Sequence, residues 1–335
     1  MQKRRFIVTG GSGFVGQFLI KKLSSLYPES QIHNLDINHP TDLSFPNLSS
    51  HIVDLTSQES LKSFAFSEND LVYHLAAYIF TDKVPSKAKR ERWFESLNVS
   101  GTKNLLTAME SNGAKNIAFL STDMVYGSPQ VTPINVSHPL NPNGPYGFSK
   151  IKAEKLINNF GDQSDCRSII FRPRMIVGEG RFGLLNKLFF LIRNNLPVPL
   201  IGSGKNYYQF ISVHDCVDAL IEFNKQDCSS GIYNLGSINP PRVIDLIRFL
   251  IKEANSGSFI IPTWGKGLKA ILNFLDTVNL TLIYPEQFIV ADQNYILDIE
   301  ELQLDLNVHP KFNDQDMLLE AYCSYCNFIS SDIEG

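Results

Sequence analysis

Short apolar runs separated by amphipathic stretches set the rhythm of the first half of the chain. Arg5-Phe6-Ile7-Val8, Gln31-Ile32-His33-Asn34-Leu35, His51-Ile52-Val53, Leu71-Val72-Tyr73-His74, Asn116-Ile117-Ala118-Phe119-Leu120 and Ser168-Ile169-Ile170-Phe171 each read as a strand. Between them, Gly13 to Leu26, Ser57 to Phe66, Trp93 to Ser111 and Tyr146 to Phe160 carry helical patterns. This alternation predicts an α/β fold, a doubly wound parallel sheet covered on both faces. After Pro173 the rhythm changes. Leu184 to Asn194 reads as an apolar helix ended by Pro197 and Pro199, Gln209 to Val213 as a strand, and His214 to Lys225 as a helix. Pro241 to Ala254 is a further helix with a proline pair at its start. Gly267 to Leu282 is strongly apolar. Few cations lie on its polar face, which favours a buried or lid helix over one lying on a membrane. The expected organisation is a sheet domain over 1–173, rejoined near 209–235. A smaller lobe from 174–208 and 236–330 would sit over the strand ends.

The first strand runs directly into Thr9-Gly10-Gly11-Ser12-Gly13-Phe14-Val15-Gly16 and then a helix. A helix N-terminus presents free N–H groups and partial positive charge, and glycines let a pyrophosphate approach the backbone. Glycine patterns also serve ordinary turns, but the flanking strand and helix point to a bound dinucleotide in a Rossmann arrangement. Asp36 ends the second strand, roughly 20 residues beyond Gly16, where a carboxylate accepts hydrogen bonds from the adenosine ribose. It would repel a 2′-phosphate, and no Arg follows it, so NAD is expected over NADP. Asp54-Leu55 follows the third strand, within reach of adenine.

Tyr146-Gly147-Phe148-Ser149-Lys150 places a phenol and an ammonium on one helix face. A phenol is a poor base at neutral pH, and a cation beside it stabilises the phenolate. The pair then suits proton exchange with a hydroxyl while a hydride moves to nicotinamide. The same spacing alone is common packing; after a dinucleotide turn and five strands it reads as chemistry. Ser121-Thr122-Asp123-Met124-Val125-Tyr126-Gly127 directly follows a strand, and ligands in such sheets sit at carboxyl ends of strands. Thr122 could hydrogen-bond the reacting oxygen there, or simply cap the strand end.

The net charge of −4 gives no support for nucleic-acid binding. Lys3-Arg4-Arg5 resembles the start of a signal peptide, but Phe6-Ile7-Val8 is too short for its apolar core. No apolar stretch is long enough to span a bilayer, so cytoplasmic residence is the expectation. The five cysteines, Cys166, Cys216, Cys228, Cys323 and Cys326, are scattered and odd in number, which argues against a disulfide framework. Cys323-x-x-Cys326 has zinc or redox spacing without a second pair, so no metal site is expected.

Taken together, TGGSGFVG, Asp36, Asp54-Leu55, HLAA at 74–77, NVSGTKNLL from Asn98, STDMVYG and YGFSK resemble the extended short-chain dehydrogenases/reductases, in the NAD-dependent epimerase/dehydratase family. FRPRMIVGEG, GSGKNYYQFISVHD and Pro310-Lys311-Phe312 continue the resemblance over nearly the whole chain. The resemblance implies Tyr146 as general acid/base and Lys150 as the residue holding the nicotinamide ribose. Thr122 would bind the substrate hydroxyl or carbonyl. Gly10, Gly13, Phe14, Val15 and Gly16 would line the pyrophosphate, Asp36 the ribose, and Asp54 with Leu55 the adenine. Leu75, Ala76 and Ala77 would pass along the dinucleotide with Asn98 nearby. It also implies a homodimer paired through helices that include the Tyr146–Lys150 helix.

Three positions depart from the family pattern. Met124 stands where the best-known sugar-nucleotide 4,6-dehydratases carry a Glu base. Met175 stands where many nucleotide-sugar members carry Asn, and Tyr208 where an arginine often holds the diphosphate. Asp123, Arg174 and Arg181 are the remaining candidates for substrate contact, the two arginines through phosphate. The expectation is an NAD-dependent epimerase of a sugar, on a nucleotide-activated substrate. The alternatives are a net dehydrogenase or reductase of a sugar or sterol-like alcohol, and a cofactor-binding protein without turnover.

Overall fold

The computed structural model describes residues 4–40, 43–81, 83–163, 165–225 and 230–334. Lys3 and Cys228, both singled out above, lie outside them. In chain order the elements begin β1 (Arg5–Thr9), α1 (Phe14–Leu26), β2 (Gln31–Asp36), β3 (Leu48–Ile52), α2 (Gln58–Leu61) and β4 (Asp70–His74). They continue α3 (Arg90–Glu95), α4 (Thr102–Ser111), β5 (Asn116–Leu120), α5 (Pro145–Gly161), β6 (Arg167–Pro173), β7 (Met175–Val177), α6 (Leu185–Arg193) and β8 (Val198–Leu200). Then come β9 (Phe210–Ser212), α7 (Val213–Glu222), β10 (Gly231–Leu235), α8 (Val243–Glu253), β11 (Ile260–Pro262), α9 (Gly265–Thr277), α10 (Pro285–Phe288), α11 (Glu300–Leu306) and α12 (Asp314–Glu334).

Seven strands form one parallel sheet in the order β10-β6-β5-β4-β1-β2-β3. Parallel strands are buried on both faces, which is why β1, β4 and β5 are nearly continuous apolar runs. One core packs Phe6, Val8, Leu19 and Ile20 with Ile169 and Leu220 on one face. A second packs Ile7, Val72, Ile117, Ile157 and Phe160 on the other. The strand order reverses between β1 and β4, so their carboxyl ends diverge into a crevice. A third core joins α6, α8 and α12 through Phe189, Leu250 and Met317.

Several elements differ from the sequence expectation. The helix expected from Ser57 to Phe66 is only α2, because Phe64 and Phe66 turn into the sheet core. The long helix expected from Trp93 starts at Arg90 and contains a π-helical turn over Ser96–Gly101. Gly231–Leu235 adds a seventh strand beside β6. The apolar segment 267–282 forms α9 and a following loop, with Leu272 and Asp276 turned inward and Ile271 and Phe274 exposed. Cys323 and Cys326 lie on α12 as free thiols. Among the described residues, no helix is long and apolar enough to cross a membrane.

Candidate active site

A cleft of about 830 Å³ runs across the carboxyl ends of β1, β2, β4 and β5 and under α10. At its first end, Gly10 leaves β1 with φ of +70° and donates its N–H to Leu35 O at 2.9 Å. A Cβ there would lie 2.7 Å from the Ala76 nitrogen, so only glycine lets the turns after β1 and β4 touch. Gly13 N–H closes the turn on Gly10 O at 3.0 Å, and Phe14 and Val15 begin α1. Their N–H groups have no intrahelical acceptor, as in any first helical turn. A Cβ on Gly16 would lie 2.4 Å from Gly10 O, so α1 packs directly on its own turn.

Asp36 sits at the end of β2. Its carboxylate accepts Ser12 N–H at 3.1 Å and Asn38 N–H at 3.0 Å. Asp54 accepts the Thr56 N–H at 2.8 Å and hydroxyl at 2.7 Å, with Leu55 buried beside it. Asp36, Asp54 and Leu55 line the cleft, as do Leu75, Ala76 and Ala77. Asn98 lies behind that wall, in the π-helical turn. It accepts Tyr78 N–H at 2.7 Å and donates to Tyr78 O and Ser149 Oγ at 3.0 and 2.9 Å. It therefore ties the strand-end segment to α5. A tight glycine turn, an N-terminal helical turn and a carboxylate at the second strand end fit a dinucleotide without a 2′-phosphate.

At the other end, Thr122, Tyr146 and Lys150 come together. The loop after β5 is fixed from behind. Arg172 forms a bidentate pair with Glu154 on α5, at 3.1 and 2.7 Å, and donates to the Tyr126 hydroxyl at 3.0 Å. Ser121 also bonds Glu154. The Thr122 hydroxyl accepts Met124 N–H at 3.3 Å and faces the Tyr146 phenol. The Tyr146 ring is packed by Phe80 and Phe94, with centroids 5.2 and 5.4 Å away. Burial pushes the phenol above its ordinary pKa, and the Asp123 and Glu286 charges add to this. Arg181 and Thr122 oppose it.

The sequence expectation was that Lys150 would lower the pKa of Tyr146. Instead, the Lys150 ammonium donates to Leu120 O at 2.8 Å and lies 3.9 Å from the Phe119 ring centroid. Its own pKa falls to about 7 through burial, with Glu154 opposing the fall. Arg181, set 5.4 Å over the Phe14 ring, is the cation that favours the Tyr146 anion.

The other substrate candidates divide. Arg181 lines the cleft wall. Arg174 is buried, paired with the Asp123 carboxylate, and donates to Gln209 O at 3.1 Å. Its guanidinium lies between Tyr208 and Tyr295, 4.4 and 4.1 Å from their centroids, and its Nη2 has no hydrogen-bond partner among the described residues. Tyr208 thus stacks on a buried arginine.

Glu286 escaped the sequence reading. It is 5% exposed on α10, and its carboxylate accepts the N–H groups of Tyr146 and Gly147 at 3.1 and 3.0 Å. It caps α5 from a segment far away in sequence, and burial raises its pKa to about 7 against those two hydrogen bonds and Arg90. No local motif marks such a residue.

This fold and site define an NAD-dependent enzyme built on a parallel doubly wound sheet. The description of the NAD-dependent epimerase/dehydratase family matches residues 6–236, and the chain belongs to that family. The chain is 29% identical to the human dTDP-D-glucose 4,6-dehydratase, over 76% of each chain. It is 32% identical to the N-acetyl-α-D-glucosaminyl-diphospho-ditrans,octacis-undecaprenol 4-epimerase of Escherichia coli O157:H7, over 68% of this chain and 66% of that one. Its fold matches the UDP-glucose 4-epimerase of Thermotoga maritima with a TM-score of 0.76 at 20% identity, covering 97% and 99% of the two chains.

Proposed function

We propose that the chain is an NAD-dependent 4-epimerase of a sugar carried on a diphosphate. The convergence of the Thr122 hydroxyl and the Tyr146 phenol, with Met124 in the same cleft and the neighbouring Asp123 carboxylate engaged by Arg174, carries this reading. The relatives named above act, by their names, on sugars joined to a diphosphate, which supports the substrate class. When bound, NAD supplies the acceptor and donor of hydride and a positive nicotinamide charge. Tyr146 takes the hydroxyl proton as the carbon–hydrogen bond is broken, and returns it after the ketone has turned over. Thr122 donates to the reacting oxygen, and Arg181 offsets negative charge on Tyr146 and at the diphosphate. Lys150 holds the nicotinamide ribose. Asp36 takes the adenosine ribose, with Asp54 and Leu55 at the adenine.

Dehydration needs a base at C5. Met124 cannot accept a proton there, Asp123 is engaged by Arg174, and both Glu286 oxygens accept backbone N–H groups. Tyr146→Phe removes the proton carrier and nothing else of the ring. Turnover of a UDP-sugar should fall about 10²–10⁴-fold with NAD binding retained. Unchanged turnover would refute the assignment, and NADH accumulating with substrate would point to net oxidation.

A further inference from the structure

We propose that α9 and the basic segment 83–92 dock this protein on an anionic bilayer surface. Ile271 and Phe274 on α9 and Val278 at its C-cap follow one another at i, i+3 and i+7, with Trp264 two turns earlier at its N-cap. All four are exposed, Trp264 at 77% and Phe274 at 65%. Leu280 and Leu282 extend the patch past the helix end. The helix does not owe its order to this face. Its inner side buries Leu272 and Asp276, and the Asp276 carboxylate holds Arg90 Nη1 at 2.7 Å and the Thr281 hydroxyl at 2.8 Å. The apolar stripe therefore stands on an anchored helix and faces outward without a partner among the described residues.

Charge identifies the occupant. The chain as a whole carries −4, yet residues 83–92 hold five cations and the single acid Glu91, and with Arg90 buried against Asp276 four of the five cations are exposed. This segment packs against the end of α9: Lys87 N–H donates to Asn279 Oδ1 at 3.3 Å, and Lys87 Nζ lies 3.7 Å from Asp276. Lys83, Lys89 and Arg92 are exposed. An apolar stripe bearing aromatic residues, bordered by cations, is the pattern of a helix lying in the interface of an anionic membrane. A second copy is a poorer match, because a two-fold contact through this face would bring like basic segments together. Lys83 and the nearby Phe80 and Thr81 also line the cleft, so the mouth opens beside the docked face.

The test uses the full chain with vesicles of phosphatidylcholine, with and without phosphatidylglycerol. The protein should co-sediment with the anionic vesicles and be released by salt. Trp264 emission should shift to the blue, and Trp264→Phe should lose the shift. Ile271→Ser/Phe274→Ser and Lys89→Glu/Arg92→Glu should each weaken binding about tenfold or more while circular dichroism and NAD binding stay unchanged. Wild-type protein that stays in the supernatant, or variants that bind equally well, would overturn the proposal. So would a dimer in sedimentation velocity that Ile271→Ser/Phe274→Ser converts to monomer, since a second copy would then cover the face. The assay reads binding and not turnover, so its failure leaves the epimerase reading standing.

Discussion

Tyr146 and Lys150 are both buried, and burial acts on each in the direction that disfavours charge. The phenol is harder to ionise and the ammonium easier to discharge. Glu286 belongs to the same balance. Its folded pKa of about 7 lies above its unfolded value of 4.5, so the folded state holds the proton more firmly. The stability it contributes is full below about pH 4.5 and is lost as the pH rises through about 7, on the order of 3 kcal/mol. Glu286→Gln should remove that part of the pH dependence, seen as a smaller drop in Tm between about pH 5 and about pH 8.5 than in the wild type. In the proposed reading Asp36 takes the adenosine ribose. Asp36→Ala should weaken NAD about 10- to 100-fold and narrow the preference over NADP, as read by titration of both nucleotides. That Asp36, Thr122, Tyr146 and Lys150 would line one cleft was legible in the sequence because each belongs to a local motif. Glu286 was not, since its partners lie across the chain and only tertiary packing brings α10 to the start of α5.

At the scale of elements, the strands were the most readable part, because a two-sided parallel sheet demands uninterrupted apolar runs. The edge strand β10 was missed: its five residues, Gly231–Leu235, carry one glycine and one Asn and gain strand form only by pairing with β6. The π-helical turn was equally hidden, since one extra residue per turn leaves little trace in apolar spacing. Its consequence is visible in Asn98, which reaches both Tyr78 and Ser149 from that turn. The join between α9 and α3 depends on a buried ion pair, with Arg90 7% and Asp276 0% exposed at the side chain. Asp276→Ala would leave the Arg90 charge without its carboxylate in a desolvated place. A loss of about 3–5 kcal/mol in denaturant unfolding is expected, because breaking one partner of such a pair strands the other. A loss below about 1 kcal/mol would show that solvent reaches the pair.

Across the whole molecule, the reversal of strand order between β1 and β4 opens one crevice, and the later part of the chain returns over it through α10. The sheet end supplies the cofactor turn, the loop after β5 supplies Thr122, and α5 supplies Tyr146 and Lys150. The cleft segments beyond the cofactor turn depart from the family pattern at Met124, Met175 and Tyr208, which is why the cofactor was legible and the sugar was not. The path of the hydride separates 4-epimerisation from 4,6-dehydration. A panel of UDP- and dTDP-hexoses deuterated at C4 should give, with the wild-type protein, the C4 epimer with deuterium still at C4 and no net NADH. Deuterium recovered at C6 of a 4-keto-6-deoxy product would contradict the account.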